Sequence, residues 1–73
     1  MTRHRALKLM RRLFPSVALR EAYCRRVPNR QVEVGVELRC GPGGQRGPRE
    51  PIVAWRAQSW EKAINRAQLF ARR

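Results

Sequence analysis

Residues 31–40 read QVEVGVELRC and alternate almost without interruption between apolar and polar side chains. One face of this segment would carry the apolar set, which is Val32, Val34, Val36, Leu38 and Cys40. A period of two residues predicts a strand with one buried face. The rest of the predicted fold is arranged around this strand.

A second strand is predicted at 52–57, where Val53, Trp55 and Ala57 would share one face. Between the two strands, residues 41–51 hold four Gly and three Pro, a composition that excludes regular structure and predicts a flexible loop. Pro51 is acceptable at the start of a strand. The loop lacks the Lys-Ser/Thr pair of a nucleotide-binding loop and does not open a helix. We therefore expect an antiparallel hairpin with a long tip.

The C-terminal segment predicts a helix that begins after Ser59, whose hydroxyl can cap it, with Glu61 in the first turn. Its apolar residues recur at helical spacing and would pack on the hairpin. They are Trp60, Ala63, Ile64, Ala67, Phe70 and Ala71. Its other faces are basic and would expose Leu69.

Two helices are predicted before the hairpin. The first runs from a cap at Thr2 to Phe14, is basic on one side and apolar on the other, and is broken by Pro15. The second covers 17–26 with a weaker stripe of Ala18, Leu19, Ala22 and Tyr23. The prediction is thus a small single α+β domain with one or two N-terminal helices, a two-stranded antiparallel hairpin and a C-terminal helix packed on it. Residues 1–14 are predicted as a separate basic segment, flexible in one interpretation, and 15–73 as the compact domain.

Charge is the strongest functional signal, because 17 Lys and Arg residues face five acidic ones in 73 residues, for a net charge of +12. Such an excess calls for an anionic partner, which could be an acidic protein surface, nucleic acid phosphate or anionic lipid. Arginine, which suits bidentate contacts, supplies 15 of the 17, but we favour the codon bias of a GC-rich genome as the cause, because composition carries no geometric information. The candidate partner-binding residues are Arg5, Lys8, Arg11, Arg12, Arg66, Leu69 and Arg73. The alternative for the basic N-terminal segment is a solvated terminus whose charges bind nothing specific. The alternative for Leu69 is a single exposed leucine without a binding role.

Catalytic and metal chemistry find no support in the sequence. The only acidic residues are Glu, and Glu33 and Glu37 would stand about 13 Å apart on a strand, too far for a catalytic pair. His4 and two distant Cys fall short of a metal site. We therefore expect a monomer that is not an enzyme and holds no cofactor or metal. We expect it in the cytoplasm, because the N-terminus lacks a secretory signal and no apolar stretch could cross a membrane. Cys24 and Cys40 are expected as buried free thiols, with one disulfide as the alternative.

Three stretches carry a resemblance to the small phage-encoded regulators that bind the host bacterial RNA polymerase. They are the basic opening at 1–12, the Val-Glu-Leu-Arg-Cys-Gly-Pro-Gly-Gly stretch at 36–44 and the Trp-Glu-Lys-Ala-Ile-Asn-Arg-Ala stretch at 60–67. The resemblance extends over the whole chain and fixes no residue role.

The resemblance implies a protein of the host bacterial cytoplasm that binds the N-terminal region of the polymerase β′ subunit and also the flap of the β subunit. It would compete with the σ factor, inhibit initiation and promote antitermination. The alternative is a small basic module that binds DNA or RNA directly, with the hairpin or the last helix entering a groove of the nucleic acid. The aromatic side chains could stack on bases, but we expect them in the core.

Overall fold

The computed structural model describes residues 1–17, 19–38 and 51–72, which form two helices and a three-stranded antiparallel sheet. In chain order the elements are α1 (Arg3–Leu13), β1 (Arg20–Val27), β2 (Gln31–Leu38), β3 (Pro51–Ala57) and α2 (Trp60–Ala71). The strands lie in the order β1-β2-β3, and both helices contact the sheet and each other. The predicted α+β class is therefore confirmed.

The second predicted helix is wrong, because residues 20–27 form strand β1. The sheet consequently has three strands instead of the two of the predicted hairpin. β1 pairs with β2 along its whole length, from Arg20 opposite Leu38 to Val27 opposite Gln31. Ala22 and Cys24 are buried on the face that α1 covers, whereas Leu19, which the helical interpretation placed on the apolar stripe, is 47% exposed. Pairing with β2 satisfies the backbone of β1, and this tertiary gain outweighs a weak helical pattern.

The connection between β1 and β2 is a three-residue turn, Pro28 to Arg30. Asn29 and Arg30 both adopt left-handed backbone angles, with φ of 67° and 56°. This region is accessible to Asn but uncommon for Arg, and it matches the twist of tight hairpin turns. The turn places β1 and β2 in register without a long loop.

The two predicted strands are confirmed, with β2 in the centre of the sheet. Val32, Val34 and Val36 of β2 are buried as the alternation predicted, but the prediction is wrong for Leu38 at the end of the strand, which is 43% exposed. The pairing with β3 shifts register between Val36 and Glu37, which marks a bulge. Residues 39–50, which include Cys40 and most of the predicted loop, lie outside the described residues.

Helix α2 begins where predicted, and the Ser59 hydroxyl accepts a hydrogen bond from the backbone N–H of Lys62 at 3.2 Å. Four of the predicted stripe residues are buried, namely Trp60, Ala63, Ile64 and Ala67. In the last turn Phe70 packs against Trp55 of β3 but stays 50% exposed, and the prediction is wrong for Ala71, which is exposed. The apolar stripe of α2 is therefore only partly covered in its last turn.

Helix α1 begins after Thr2, whose hydroxyl accepts a hydrogen bond from the backbone N–H of Arg5, and ends before Pro15. Ala6 and Met10 are completely buried in the same core that α2 covers. α1 therefore contributes to the packed domain. The division at residue 14 stays a prediction.

Candidate functional site

The outer face of α1, which we define by His4, Arg5, Lys8 and Arg12, carries a cluster of basic side chains. These residues line a shallow concavity of about 600 Å³ together with Met1 and Leu9. At 100° per residue they occupy one arc of the helix, opposite Ala6 and Met10. Because those two residues are fully buried, the helix is held in place and presents its cations from a fixed backbone.

None of Arg5, Lys8 and Arg12 forms an ion pair within residues 1–17, 19–38 and 51–72. All three are exposed. Cations without a nearby carboxylate project their potential into solvent, where it attracts and orients an anionic partner. This part of the predicted site is thus brought together as an open, uncompensated cationic surface.

Arg11 lies on a different flank of α1 from the other predicted cations. It lines a second concavity, of about 360 Å³, with Arg3, Leu7 and residues of β1. Arg3 Nε donates a hydrogen bond to the carbonyl oxygen of Cys24 at 2.9 Å, which ties this flank to the edge of the sheet. Arg11 therefore faces the sheet edge instead of the outer face.

Cys24 lies under this flank as a buried free thiol, as predicted. Burial raises the pKa of the Cys24 thiol to about 11, and the nearby charges of Arg3 and Arg11 offset only part of that rise. A thiol held neutral in this way is a poor nucleophile. It acts as a packing residue of the core.

The predicted site residues on α2 do not line the concavity beside α1. Arg66 Nη1 donates a hydrogen bond to the carbonyl oxygen of Arg56, so this side chain covers part of the edge of β3. Leu69 is 65% exposed, as the helical wheel predicted. Arg73 lies outside the described residues.

The sheet face that the helices leave uncovered, which we call the open face, contains a second arginine cluster built around Glu33. Glu33 is only 2% exposed, although no helix covers it. Its Oε2 accepts hydrogen bonds from Tyr23 Oη at 2.7 Å and from Arg25 Nε at 2.8 Å, and its Oε1 accepts one from Arg56 Nε at 2.7 Å. The carboxylate of the central strand thereby joins all three strands.

Protonation of this cluster follows from its surroundings. Burial alone would raise the pKa of the Glu33 carboxyl, but the hydrogen bonds from Arg56, Tyr23 and Arg25 outweigh that cost, and the pKa lies below its usual range. Burial and the hydrogen bond to Glu33 raise the pKa of the Tyr23 phenol well above its usual range. Glu33 is therefore a carboxylate at neutral pH, and Tyr23 is its neutral donor.

Gly35 lets Tyr23 reach Glu33, because Tyr23 stands directly opposite Gly35 in the β1–β2 pairing. A Cβ at position 35 would lie 2.9 Å from the Tyr23 ring and would also collide with the carbonyl oxygen of Val53. The absence of a side chain thus allows the aromatic ring to lie across the central strand. An aromatic residue that covers a strand glycine is a known stabilising pair.

Sequence reasoning missed this cluster because it placed Tyr23 and Arg25 on a helix. Glu33 and Arg56 were both visible on the polar faces of predicted strands. A strand interpretation of 20–27 would have put basic side chains on both sides of Glu33. The missing signal was therefore the assignment of β1.

A third feature, an apolar groove, lies where both helices end and β3 begins. The groove has a volume of about 650 Å³ and its lining is mostly apolar. Its lining residues are Leu13, Phe14, Pro15, Val17, Arg20, Val36, Ile52, Val53 and Phe70. Three of the large apolar side chains are substantially exposed, with Val17 at 64%, Ile52 at 48% and Phe70 at 50%. No sequence pattern indicated this groove, since its residues come from four separate segments.

The described part of the chain contains no group of His, Cys, Asp or Glu side chains arranged to hold a metal ion. No helix within it has the length and apolarity needed to cross a membrane. No family model, curated protein or solved structure matches this chain. The three surfaces described above are therefore the basis on which a function can be argued.

Proposed function

We propose that this chain is a phage-encoded transcription regulator that binds host RNA polymerase through an acidic surface of the β′ and β subunits. In this proposal it acts as a monomer in the host bacterial cytoplasm, displaces the σ factor to inhibit initiation, and promotes antitermination. The single observation that supports the proposal best is the outer face of α1, where Arg5, Lys8 and Arg12 are exposed and without ion pairs among the described residues.

The physical argument combines rigidity and charge. A rigid cationic helix speeds association with an acidic protein surface, since long-range attraction raises the rate of productive encounters. At a net charge of +12 the chain repels copies of itself, which favours a monomer that binds a heterologous partner. A bound partner that shares its site with another factor excludes that factor by simple competition.

The test is capture of purified bacterial RNA polymerase, taken from several species, by the immobilised full chain after nuclease treatment. We expect capture that weakens with salt, because screening shortens the range of the attraction. Reversal of two charges, Lys8→Glu with Arg12→Glu, should reduce the affinity by about tenfold or more. The matched control, Arg30→Glu with Lys62→Glu, changes the net charge equally on residues outside this face and should cost much less.

Nucleic acid binding is the competing outcome of the same experiment. Mobility shifts of random duplex DNA and of RNA at physiological salt would detect it. Tight binding to either nucleic acid, without capture of any polymerase after nuclease treatment, would refute the proposed function.

A further inference from the structure

We infer that the apolar groove at the end of the two helices is the anchoring site for a segment of a partner protein that carries large apolar side chains beside a carboxylate. This inference rests on the proposed function in one respect, namely that the partner is a protein. It goes further by assigning the anchor to the groove and the long-range attraction to α1.

The groove is held in shape by an aromatic cluster beneath it. Phe14 stacks on Trp55 with ring centroids 5.7 Å apart, and Phe70 packs against the same indole at 5.3 Å in a tilted arrangement. Trp55 thus fixes both aromatic walls, although Phe70 remains 50% exposed. A preformed apolar concavity costs a ligand little reorganisation, and large buried anchors supply most of the binding energy at protein interfaces.

The positive charge at the groove favours an acidic ligand. Arg20 is the only charged residue among the described residues that line the groove, and Arg12 lies next in sequence to the lining residue Leu13. A carboxylate beside an apolar anchor would meet the Arg20 guanidinium at the rim. Nucleic acid does not fit an apolar concavity of this kind, because its phosphates would be placed against hydrocarbon without compensation.

A second copy of the chain is disfavoured as the occupant. Two molecules of net charge +12 would have to approach closely, and the described residues that line the groove include no carboxylate to offer the other copy. Exposed apolar side chains that gather in one concavity are typical of a partner-binding site. The remaining occupant is a heterologous acidic and apolar polypeptide segment.

The experiment uses the isotope-labelled full chain and three synthetic peptides of equal length, followed by chemical shift titration. The first peptide has a central Leu-Phe pair flanked by Glu. The second replaces Leu-Phe with Ser-Ser, and the third replaces Glu with Lys. We expect saturable shifts from the first peptide at Val17, Ile52 and Phe70, and affinity at least about tenfold weaker for the other two.

Variants of the chain locate the binding. The pair Val17→Thr with Ile52→Thr keeps the branched shape but replaces apolar groups with hydroxyls, so the affinity for the first peptide should fall by about tenfold. Arg20→Gln should weaken it a few-fold. Arg30→Gln, which removes the same charge from a turn outside the groove, should leave it unchanged.

Several results would overturn the inference. In the peptide titration they are equal binding of the Ser-Ser peptide, shifts confined to the outer face of α1, or no binding at millimolar peptide. A single-stranded oligonucleotide that shifts the groove residues would also overturn it, as would self-association through those residues in equilibrium sedimentation. Polymerase capture that survives the Val17 and Ile52 substitutions would refute the groove and leave the proposed function intact. Peptide binding in the groove without polymerase capture would support the groove and refute the proposed function.

Discussion

The open face of the sheet and the outer face of α1 both carry arginine, but only the open face also carries a buried carboxylate. Arg25 and Arg56 converge on Glu33, whose carboxylate offsets one of their two positive charges and holds both guanidinium groups in place. Arg5, Lys8 and Arg12 have no such partner among the described residues. The net charge of +12 describes the whole chain and therefore does not distinguish these two surfaces. Arginine on one face holds strands together, whereas on the other it remains available for a partner.

The largest expected effect concerns the open face. Gly35→Ala should destabilise the fold by about 3 kcal/mol or more, because the new methyl group would collide with the Val53 carbonyl oxygen and the Tyr23 ring. Since a domain of this size has only about 3 to 5 kcal/mol of net stability, the variant should be largely unfolded. Circular dichroism with urea titration measures this.

Its control is Ala54→Ser, at the position paired with Gly35 on β3, which is exposed. That variant should stay within about 0.5 kcal/mol of the wild type. A folded Gly35→Ala protein of ordinary stability would mean that Tyr23 does not need to lie across the central strand.

A second substitution asks whether α1 is part of the fold as well as a carrier of charge. Met10→Ala should cost about 2 to 3 kcal/mol, since Met10 is completely buried and its removal leaves a cavity. Lys8→Ala, two residues earlier on the exposed side, should change the free energy of unfolding by less than about 0.5 kcal/mol. Thermal and urea unfolding of both variants would show whether α1 unfolds separately. An unchanged unfolding curve for Met10→Ala would place α1 outside the cooperative core.

The free energy of unfolding at acid pH tests the role of Glu33 in the open face. Its pKa is depressed in the folded state, so its contribution to stability is present above the unfolded pKa of about 4.3 and is lost as pH falls through the lower folded value. Glu33→Gln should cost about 2 kcal/mol at pH 7 and should flatten the loss of stability below pH 4.3. Glu61→Gln, an exposed residue of the first turn of α2, is the control and should cost only a few tenths of a kcal/mol. An acid profile identical to that of the wild type would contradict the role of Glu33.

A smaller effect is expected at alkaline pH. The pKa of Cys24 is raised by burial from 9.0 to about 11, so the neutral thiol stabilises the fold fully below the unfolded value and this stabilisation is lost as pH rises through 11. The raised pKa of Tyr23 acts in the same direction from about pH 10 upward. Urea unfolding between pH 8 and 11 should show a decline that is shallower in Cys24→Ala than in the wild type. A decline of equal slope in both proteins would exclude a thiol contribution.

Much of the fold could be predicted from the sequence where the apolar pattern was strong. The period of two in Val32, Val34 and Val36 gave β2, and Ser59 followed by a helical stripe gave α2. Strand β1 was not predicted, because Ala22 and Cys24 are small, weakly apolar residues whose burial depends on pairing with β2. Long-range pairing of this kind has no local signature.

The surfaces divide in the same way. Helical spacing alone predicted that the cations of α1 would share one side, because side chains of a single helix have fixed directions. The prediction covered His4, Arg5, Lys8, Arg11 and Arg12, and all but Arg11 line the same concavity. It could not show that Arg11 faces the edge of β1, nor that Phe70 and Ile52 meet in one groove. Both facts depend on how separate elements pack, and the prediction of 17–26 as a helix hid the first of them.

The most direct test compares two variants that each remove two positive charges. Lys8→Gln with Arg12→Gln acts on the outer face of α1, and Arg25→Gln with Arg56→Gln acts on the open face. Melting temperature and affinity for purified polymerase are measured for both. The account predicts that the first variant melts like the wild type but loses affinity, whereas the second melts at a lower temperature and, where folded, binds normally. The reverse pattern, or equal loss of affinity in both, would contradict it.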